Sequence, residues 1–411
     1  MDDPVTTSLT NLLHRLAPDR SGAVADYIPE LASVDPDALG AAMVSVHGDI
    51  YHAGDGEKEF TIQSVSKPFV YALALSDLGL EAVTEHVGFE PSGEPFNAIS
   101  LEADTGRPAN PLINAGAIVT TALVAGTDRA DKFARIHATL SAFAGRNLEL
   151  DEAVYKSESA TGDRNRALAY LTLSQGVLAG PVEDVTDTYF RQCALRVTAV
   201  DLAVMAATLA NGGVNPVTKR QVIDAEIARI ALSVMATCGM YDFSGEWMVE
   251  VGLPAKSGVG GGIVAALPGE FGIGVFSPRL DAQGNSVRGK IALRTMSERF
   301  GLHVFTAPTG HRSPIAASRI HGQVLTVELQ GAVDFVSAER IVRHLQETAA
   351  TYPLTRIDVD LTHVTTVRAS GSDMVTVTFA DLRARGIEVR ATSPEPAPLL
   401  DLPGAAATLD D

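Results

Sequence analysis

Apolar residues recur at helical spacing from the start of the chain. Leu9, Leu12, Leu13 and Leu16 form one stripe and predict a helix over about residues 5–17, ended by Pro18-Asp19-Arg20-Ser21-Gly22. Residues 40–46 and 50–53 read as two strands around a turn at His47-Gly48-Asp49. A short strand-like approach at Phe60-Thr61-Ile62 leads into a helix whose Phe69, Ala72 and Leu73 share a buried face, ending near Gly79. Breakers fill 90–95 and 106–111, which therefore read as loops. Asn114-Ala115-Gly116-Ala117-Ile118 opens a close-packed helix, and further helices run to about Asn211, the last over 198–209 with Thr198 as its N-cap. Past Met240 the pattern changes to short strands with glycine turns, over 256–263 and 271–276, and then to a helix over 289–300. Strands thus bracket a mainly helical middle, which predicts an α+β arrangement: one antiparallel sheet with helices packed on it.

A second pattern follows a proline- and glycine-bearing polar stretch, Phe305 to Pro314. Strand alternation at 324–329, an amphipathic helix over 337–349, strand alternation at 356–361, a helix over 370–385 and a strand at 387–391 give a βαβαβ order, a small α/β domain with crossover connections. The expected division is a first domain at 1–306, a linker at 307–317, a second domain at 318–398 and a disordered tail at 399–411.

Composition narrows the class. The formal net charge of −18 over 411 residues argues against general nucleic-acid binding and against attraction to anionic membranes. Two distant cysteines, Cys193 and Cys238, do not make a disulfide framework and suit a reducing cytosol as buried structural residues. The start, Met1-Asp2-Asp3-Pro4, lacks a secretion signal, and no apolar run reaches transmembrane length. A soluble, cytoplasmic protein is expected. The ten histidines show no ligand-like clustering, so neither metal nor other cofactor is expected.

Candidate chemistry centres on Ser64 and Lys67, three residues apart and on one face if the helix begins near Ser64. A serine hydroxyl needs an adjacent base, and a lysine amine serves only if burial or positive charge lowers its pKa. The plainer reading of these two residues is an N-cap serine and a solvated lysine, with Ser66 an equal candidate for the cap because Pro68 suits a first turn. Three further segments carry polar groups: Lys256-Ser257-Gly258 ahead of a glycine run, Tyr241 in a loop at 240–245, and a polar loop at 157–165 containing Glu158 and Asn165. Taken singly, each also reads as an ordinary turn or interface.

Five ordered motifs decide among these readings: Gln63-Ser64-Val65-Ser66-Lys67-Pro68, Asn110 to Ile118, Ser157-Glu158 with Thr161 to Asn165, Cys238 to Gly245, and Leu253 to Val259. From Tyr27 to about Phe305 the chain resembles the serine-dependent glutaminases of the β-lactamase-like superfamily. The resemblance implies a β-lactamase-like serine-enzyme fold that hydrolyses the side-chain amide of L-glutamine through a γ-glutamyl-serine ester. It further implies Ser64 as nucleophile, Lys67 as its base assisted by Tyr241, and backbone N–H groups of Ser64 and Val259 as the oxyanion hole. Tyr27, Gln63, Asn114, Glu158, Asn165 and Tyr189 would bind substrate, with Glu158 facing its ammonium and Lys256 supporting the site. A homo-oligomer, dimer or tetramer, is implied as well. β-Lactam-hydrolysing enzymes share the Ser–Lys logic, but no S-D-N element stands at a matching position. A glutamine sensor without turnover is the alternative of another class. From about Ser318 to Pro398 the chain resembles a STAS domain, which implies a regulatory surface for a protein or small-ligand partner. Ser370 falls on the family's phosphosite, although Arg368 stands where an aspartate is usual; the other reading of Ser370 is an N-cap ahead of Asp373.

Overall fold

The computed structural model describes residues 3–93, 98–305 and 313–392. The expected loop residues 94–95, most of the expected linker and the expected tail lie outside them. Helices α1 (Pro4–Leu16) and α2 (Pro29–Ala32) precede the hairpin β1 (Gly40–Ser45) and β2 (Ile50–Gly54). Strand β3 (Phe60–Thr61) is followed by helices α3 (Lys67–His86), α4 (Asn114–Leu123), α5 (Arg129–Ala144), α6 (Glu152–Thr161), α7 (Asp163–Ser174) and α8 (Val182–Cys193). Then come β4 (Arg196–Val197), α9 (Ala199–Ala210), α10 (Ala225–Cys238), α11 (Ser244–Glu250), β5 (Ala255–Ser257), β6 (Gly262–Leu267), β7 (Phe271–Phe276) and α12 (Val287–Phe300).

Contacts divide the chain into two compact units, one of them Leu9–Arg294. Its sheet is antiparallel throughout, in the order β2-β1-β7-β6-β5. Every residue of β1, β6 and β7 is buried. Small residues make that possible. A Cβ on Gly272 would lie 2.1 Å from Ala203 O and Ala207 N, and one on Gly274 would lie 2.0 Å from Ala199 O, so the backbone of α9 rests on β7. Thr198 and Asp201 close a reciprocal capping box at the start of α9, and the Arg146 fork holds Asp201 at 2.8 and 2.7 Å. Helix α3 is buried from Lys67 through Leu75, and its Phe69 meets Phe143 edge to face at 4.9 Å. Burying each such ring contributes roughly 1.5–3 kcal/mol.

The second unit takes the chain from Thr295 onward together with the residues through Ser8. It contains β8 (Ile315–His321), β9 (Val324–Val333), α13 (Phe335–Thr351), β10 (Arg356–Val367), α14 (Ala369–Ala384) and β11 (Glu388–Thr392). The sheet order is β11-β10-β9-β8, with β9, β10 and β11 parallel and β8 antiparallel to β9. The end of α12 belongs to this unit, where Phe300 stacks on Phe335 at 4.2 Å.

Several expectations are corrected. The α+β and α/β layouts are as expected, but β8 is an additional strand. It begins at Ile315, inside the stretch expected as linker, and its mostly exposed pattern explains why burial alternation did not reveal it. Helix α3 does not end at Gly79; the chain breaks there (φ 81°, ψ 164°) and resumes helix to His86. Residues 157–165 are not a loop but the junction of α6 and α7. Gly162 joins them because a Cβ would stand 2.2 Å from the Phe190 ring.

Candidate active site

The helix does not begin at Ser64. Residues Gln63–Ser66 form one 3-10 turn, and α3 starts at Lys67. Gln63 enters the turn with φ +48°, a backbone conformation unusual outside glycine, and Ser64 follows it at 7% exposure. Glycines bring a second segment against this turn: a Cβ on Gly258 would lie 2.9 Å from Val65 Cγ2, and one on Gly260 would lie 2.7 Å from Thr61 O. Val259, between them, therefore lines the same cleft as Ser64. The cleft has a volume of about 320 Å³, and Tyr27, Gln63, Asn114, Glu158, Asn165 and Tyr189 also reach it.

Lys67 is not a solvated lysine. It is 1% exposed, and burial lowers its pKa from 10.5 to about 7. Its Nζ donates to Leu112 O at 3.3 Å and to Asn114 Oδ1 at 2.7 Å. The loop before α4 is shaped for this: Asn110 Oδ1 accepts from the N–H groups of Leu112 and Ile113, while Asn110 Nδ2 donates to Glu90 O. Asn114 Nδ2 in turn donates to Asn165 Oδ1 at 3.0 Å, which fixes the amide's orientation toward Lys67.

Tyr241 lies in a 3-10 turn leading to α11 rather than in an open loop, again at positive φ (60°). Its hydroxyl donates to Ser257 O at 3.1 Å. Burial raises its pKa far beyond the ordinary value, and a hydrogen bond from the Ser64 hydroxyl opposes the rise. Lys256 Nζ sits 4.1 Å from the centroid of the Tyr241 ring and donates to the same Ser257 carbonyl. Burial, then the Lys67 charge, hold Lys256 well below the usual lysine range. Gly239 permits the crossing that assembles this corner, since a Cβ there would stand 1.7 Å from Ala255 O.

At the other end of the cleft, the Tyr27 hydroxyl donates to Glu158 Oε1 at 2.7 Å although the Tyr27 residue is 48% exposed. Burial raises the Glu158 pKa; hydrogen bonds from Tyr27 and Gln63 oppose the rise, and the nearby Glu30 carboxylate adds to it. Tyr189 is buried beside Glu158, and its phenol is raised well above the usual range by burial.

All the sequence-expected residues of the first domain therefore meet at one place. Eight line the cleft, while Lys67, Tyr241 and Lys256 stand behind Ser64. Cys193 was expected as a purely structural thiol, yet it lines the cleft too, its pKa pushed up to about 12 by burial. Thr161, Arg164 and Phe190 complete the wall. Thr161 and Arg164 fall inside the motif that carries Glu158, without a role assigned to them there, and Phe190 is signalled only as the neighbour of Tyr189. In the second unit Ser370 is not the N-cap. Arg368 occupies that position, and the Ser370 Oγ is buried inside the first turn of α14 without a hydrogen-bond partner. Among the described residues no group of three or more His, Cys, Asp or Glu side chains could hold a metal ion.

The glutaminase family model matches residues 22–305, and the STAS domain model matches residues 316–402. The chain belongs to the glutaminase family. Glutaminase 2 of Bradyrhizobium diazoefficiens is 46% identical over 400 residues, covering 92% of this chain but 64% of its own length. The chain thus spans a little under two thirds of that relative. A glutaminase of Corynebacterium efficiens is 42% identical over 394 residues, covering 95% of this chain and 93% of the relative. Among solved structures, the glutaminase-family chain matches a crystal structure of a protein named Mglu with TM-score 0.74 and 42% identity, over 96% of this chain and 99% of that one.

Proposed function

We propose that this chain hydrolyses the side-chain amide of L-glutamine to L-glutamate and ammonia through a γ-glutamyl ester on Ser64. The observation that carries the mechanism is the Lys67 amine, buried and held near neutral pKa one turn from Ser64. A neutral amine has two N–H donors and one lone pair. Leu112 O and Asn114 Oδ1 take both donors, so the lone pair is left for the serine proton. Ser64 Oγ attacks the amide carbon as Lys67 removes its proton, with the Tyr241 hydroxyl in the relay. The oxyanion is met by the N–H groups of Ser64 and Val259, on segments that glycines bring together. The proton on Lys67 passes to the departing nitrogen, the C–N bond breaks and ammonia leaves. Water, deprotonated by the same amine, then hydrolyses the ester and returns the proton to Ser64.

Glu158, fixed by Tyr27, answers the substrate ammonium, while Gln63, Asn165 and Tyr189 complete the polar cradle. Lys256 supports this corner by packing its Nζ on the Tyr241 ring and donating to the Ser257 carbonyl that also accepts from the Tyr241 hydroxyl. Family membership and a solved form of Mglu named for glutamate support this substrate class. The STAS domain acts as a regulatory or partner-binding module and the protein assembles as a dimer or tetramer in the cytoplasm. Among the described residues no helix is long and apolar enough to cross a membrane.

The test is ammonia and glutamate release from L-glutamine by the full chain and by Ser64→Ala. Turnover that disappears in the variant supports the reading. Turnover that survives, or a folded wild-type protein with none, refutes it.

A further inference from the structure

Behind the Ser64 turn runs a buried line of polar side chains that the chemistry above does not use. The Ser66 hydroxyl donates to the Gln63 carbonyl at 2.8 Å. Gln192, on the last turn of α8, donates from Nε2 to Ser66 Oγ at 3.0 Å, and the Thr121 hydroxyl on α4 shares its proton between Ala117 O at 2.9 Å and Gln192 Oε1 at 3.1 Å. Ser66 and Gln192 are fully buried and Thr121 nearly so. Burying an amide and two hydroxyls in an apolar core is unfavourable unless each is satisfied, and apolar residues would pack there without that demand. The network ends on the carbonyl of Gln63, whose positive φ immediately precedes Ser64. Such a conformation persists only where its surroundings over-determine it. Both helices also supply cleft residues, Asn114 at the start of α4 and Cys193 and Tyr189 on α8.

We propose that Thr121, Gln192 and Ser66 form a strut that holds the Gln63 peptide in its strained conformation and so positions the Ser64 hydroxyl. They are positioning residues, and the proposal rests on Ser64 being the nucleophile. None of the three touches the substrate, but the peptide they hold also carries the Gln63 side chain of the cradle, so their loss is expected chiefly in kcat, with a smaller rise in KM.

The experiment compares wild type, Ser66→Ala, Gln192→Met, Thr121→Val and the Ser66→Ala/Gln192→Met double variant. Ser64→Ala is the reference for the underlying reading. Glutaminase kcat and KM are measured, with Trp247 fluorescence as the check on folding. The expected result is a fall in kcat of about ten- to a hundredfold for Ser66→Ala and Gln192→Met, with KM raised by no more than about fivefold. A smaller fall is expected for Thr121→Val, at the far end of the strut, and the double variant should be no slower than Ser66→Ala. A folded Ser66→Ala with wild-type kcat overturns the proposal, as do losses that multiply in the double variant. Should Gln192→Met fail to fold, Ser66→Ala and Thr121→Val, each lacking a single hydroxyl, decide the question. Turnover retained by Ser64→Ala would instead refute the nucleophile assignment on which the strut depends.

Discussion

Replacing Lys67 by methionine should abolish activity and also change how stability depends on pH. Burial lowers the amine from 10.5 to about 7, which corresponds to about 5 kcal/mol of folding free energy. Below about pH 7 the amine is protonated in folded and unfolded chains alike, and the folded state carries the whole penalty of a buried charge. Between about 7 and 10.5 the folded protein has released a proton that the unfolded chain keeps. Stability therefore rises with pH by about 1.4 kcal/mol per unit, until the penalty is gone. Lys67→Met lacks this contribution. It strands Leu112 O and Asn114 Oδ1, but that cost does not vary with pH and cancels in the comparison. Because the Lys67 charge also lowers Lys256, the comparison is made in a Lys256→Met background, so that only Lys67 differs between the two proteins. Urea unfolding at pH 7 and 9 can be followed through Trp247, the single tryptophan, which is fully buried in the unit that holds the site. From pH 7 to 9 the protein that keeps Lys67 should gain about 2 kcal/mol on the one that lacks it. Parallel pH dependence in the two proteins would refute the assignment of a buried, neutral Lys67.

Three other outcomes follow from the same geometry. The pH profile of kcat/KM should fall on the acid side with an apparent pKa near 7, because protonated Lys67 cannot take the serine proton; a profile flat down to about pH 5 would count against it. Glu158→Gln should raise KM for glutamine about thirty- to a hundredfold with a smaller effect on kcat, since a charge-assisted contact to the ammonium is lost; an equal fall in kcat with unchanged KM would contradict its role. Arg288 is 1% exposed and donates to Ser277 Oγ, Pro36 O and Ala38 O. Arg288→Met should therefore cost about 3 kcal/mol by leaving those acceptors buried and unpaired, read as a lower urea midpoint with unchanged KM.

Much of this was legible from local pattern. The stripe of α1, the β1–β2 hairpin and the Thr198 cap depend on neighbours in sequence, and each stands where periodicity and capping placed it. The environment of Lys67 was not legible that way. Its burial depends on a carbonyl and an amide from residues 112 and 114, and on helices far along the chain. The 157–165 segment looked like a loop because its polar residues face the cleft, where a site suppresses the apolar stripe that marks a helix. Cys193 was passed over for the opposite reason: a lone cysteine on a helix with otherwise ordinary burial carries no signal of the cleft beside it.

The glycines of β7 have a consequence for anyone redesigning this protein. Where α9 lies on Gly272 and Gly274, the nearest neighbours are main-chain atoms of Ala199, Ala203 and Ala207, which cannot re-pack as side chains do. That seam is a hard bearing: it cannot be padded or thinned, and even one added methyl must move a helix. The sheet it carries leads directly into the 258–262 loop beside Ser64. Variation meant to alter the substrate accepted should therefore be directed to the α6–α7 wall, where Thr161 and Arg164 present replaceable side chains to the cleft and the bearing is left untouched.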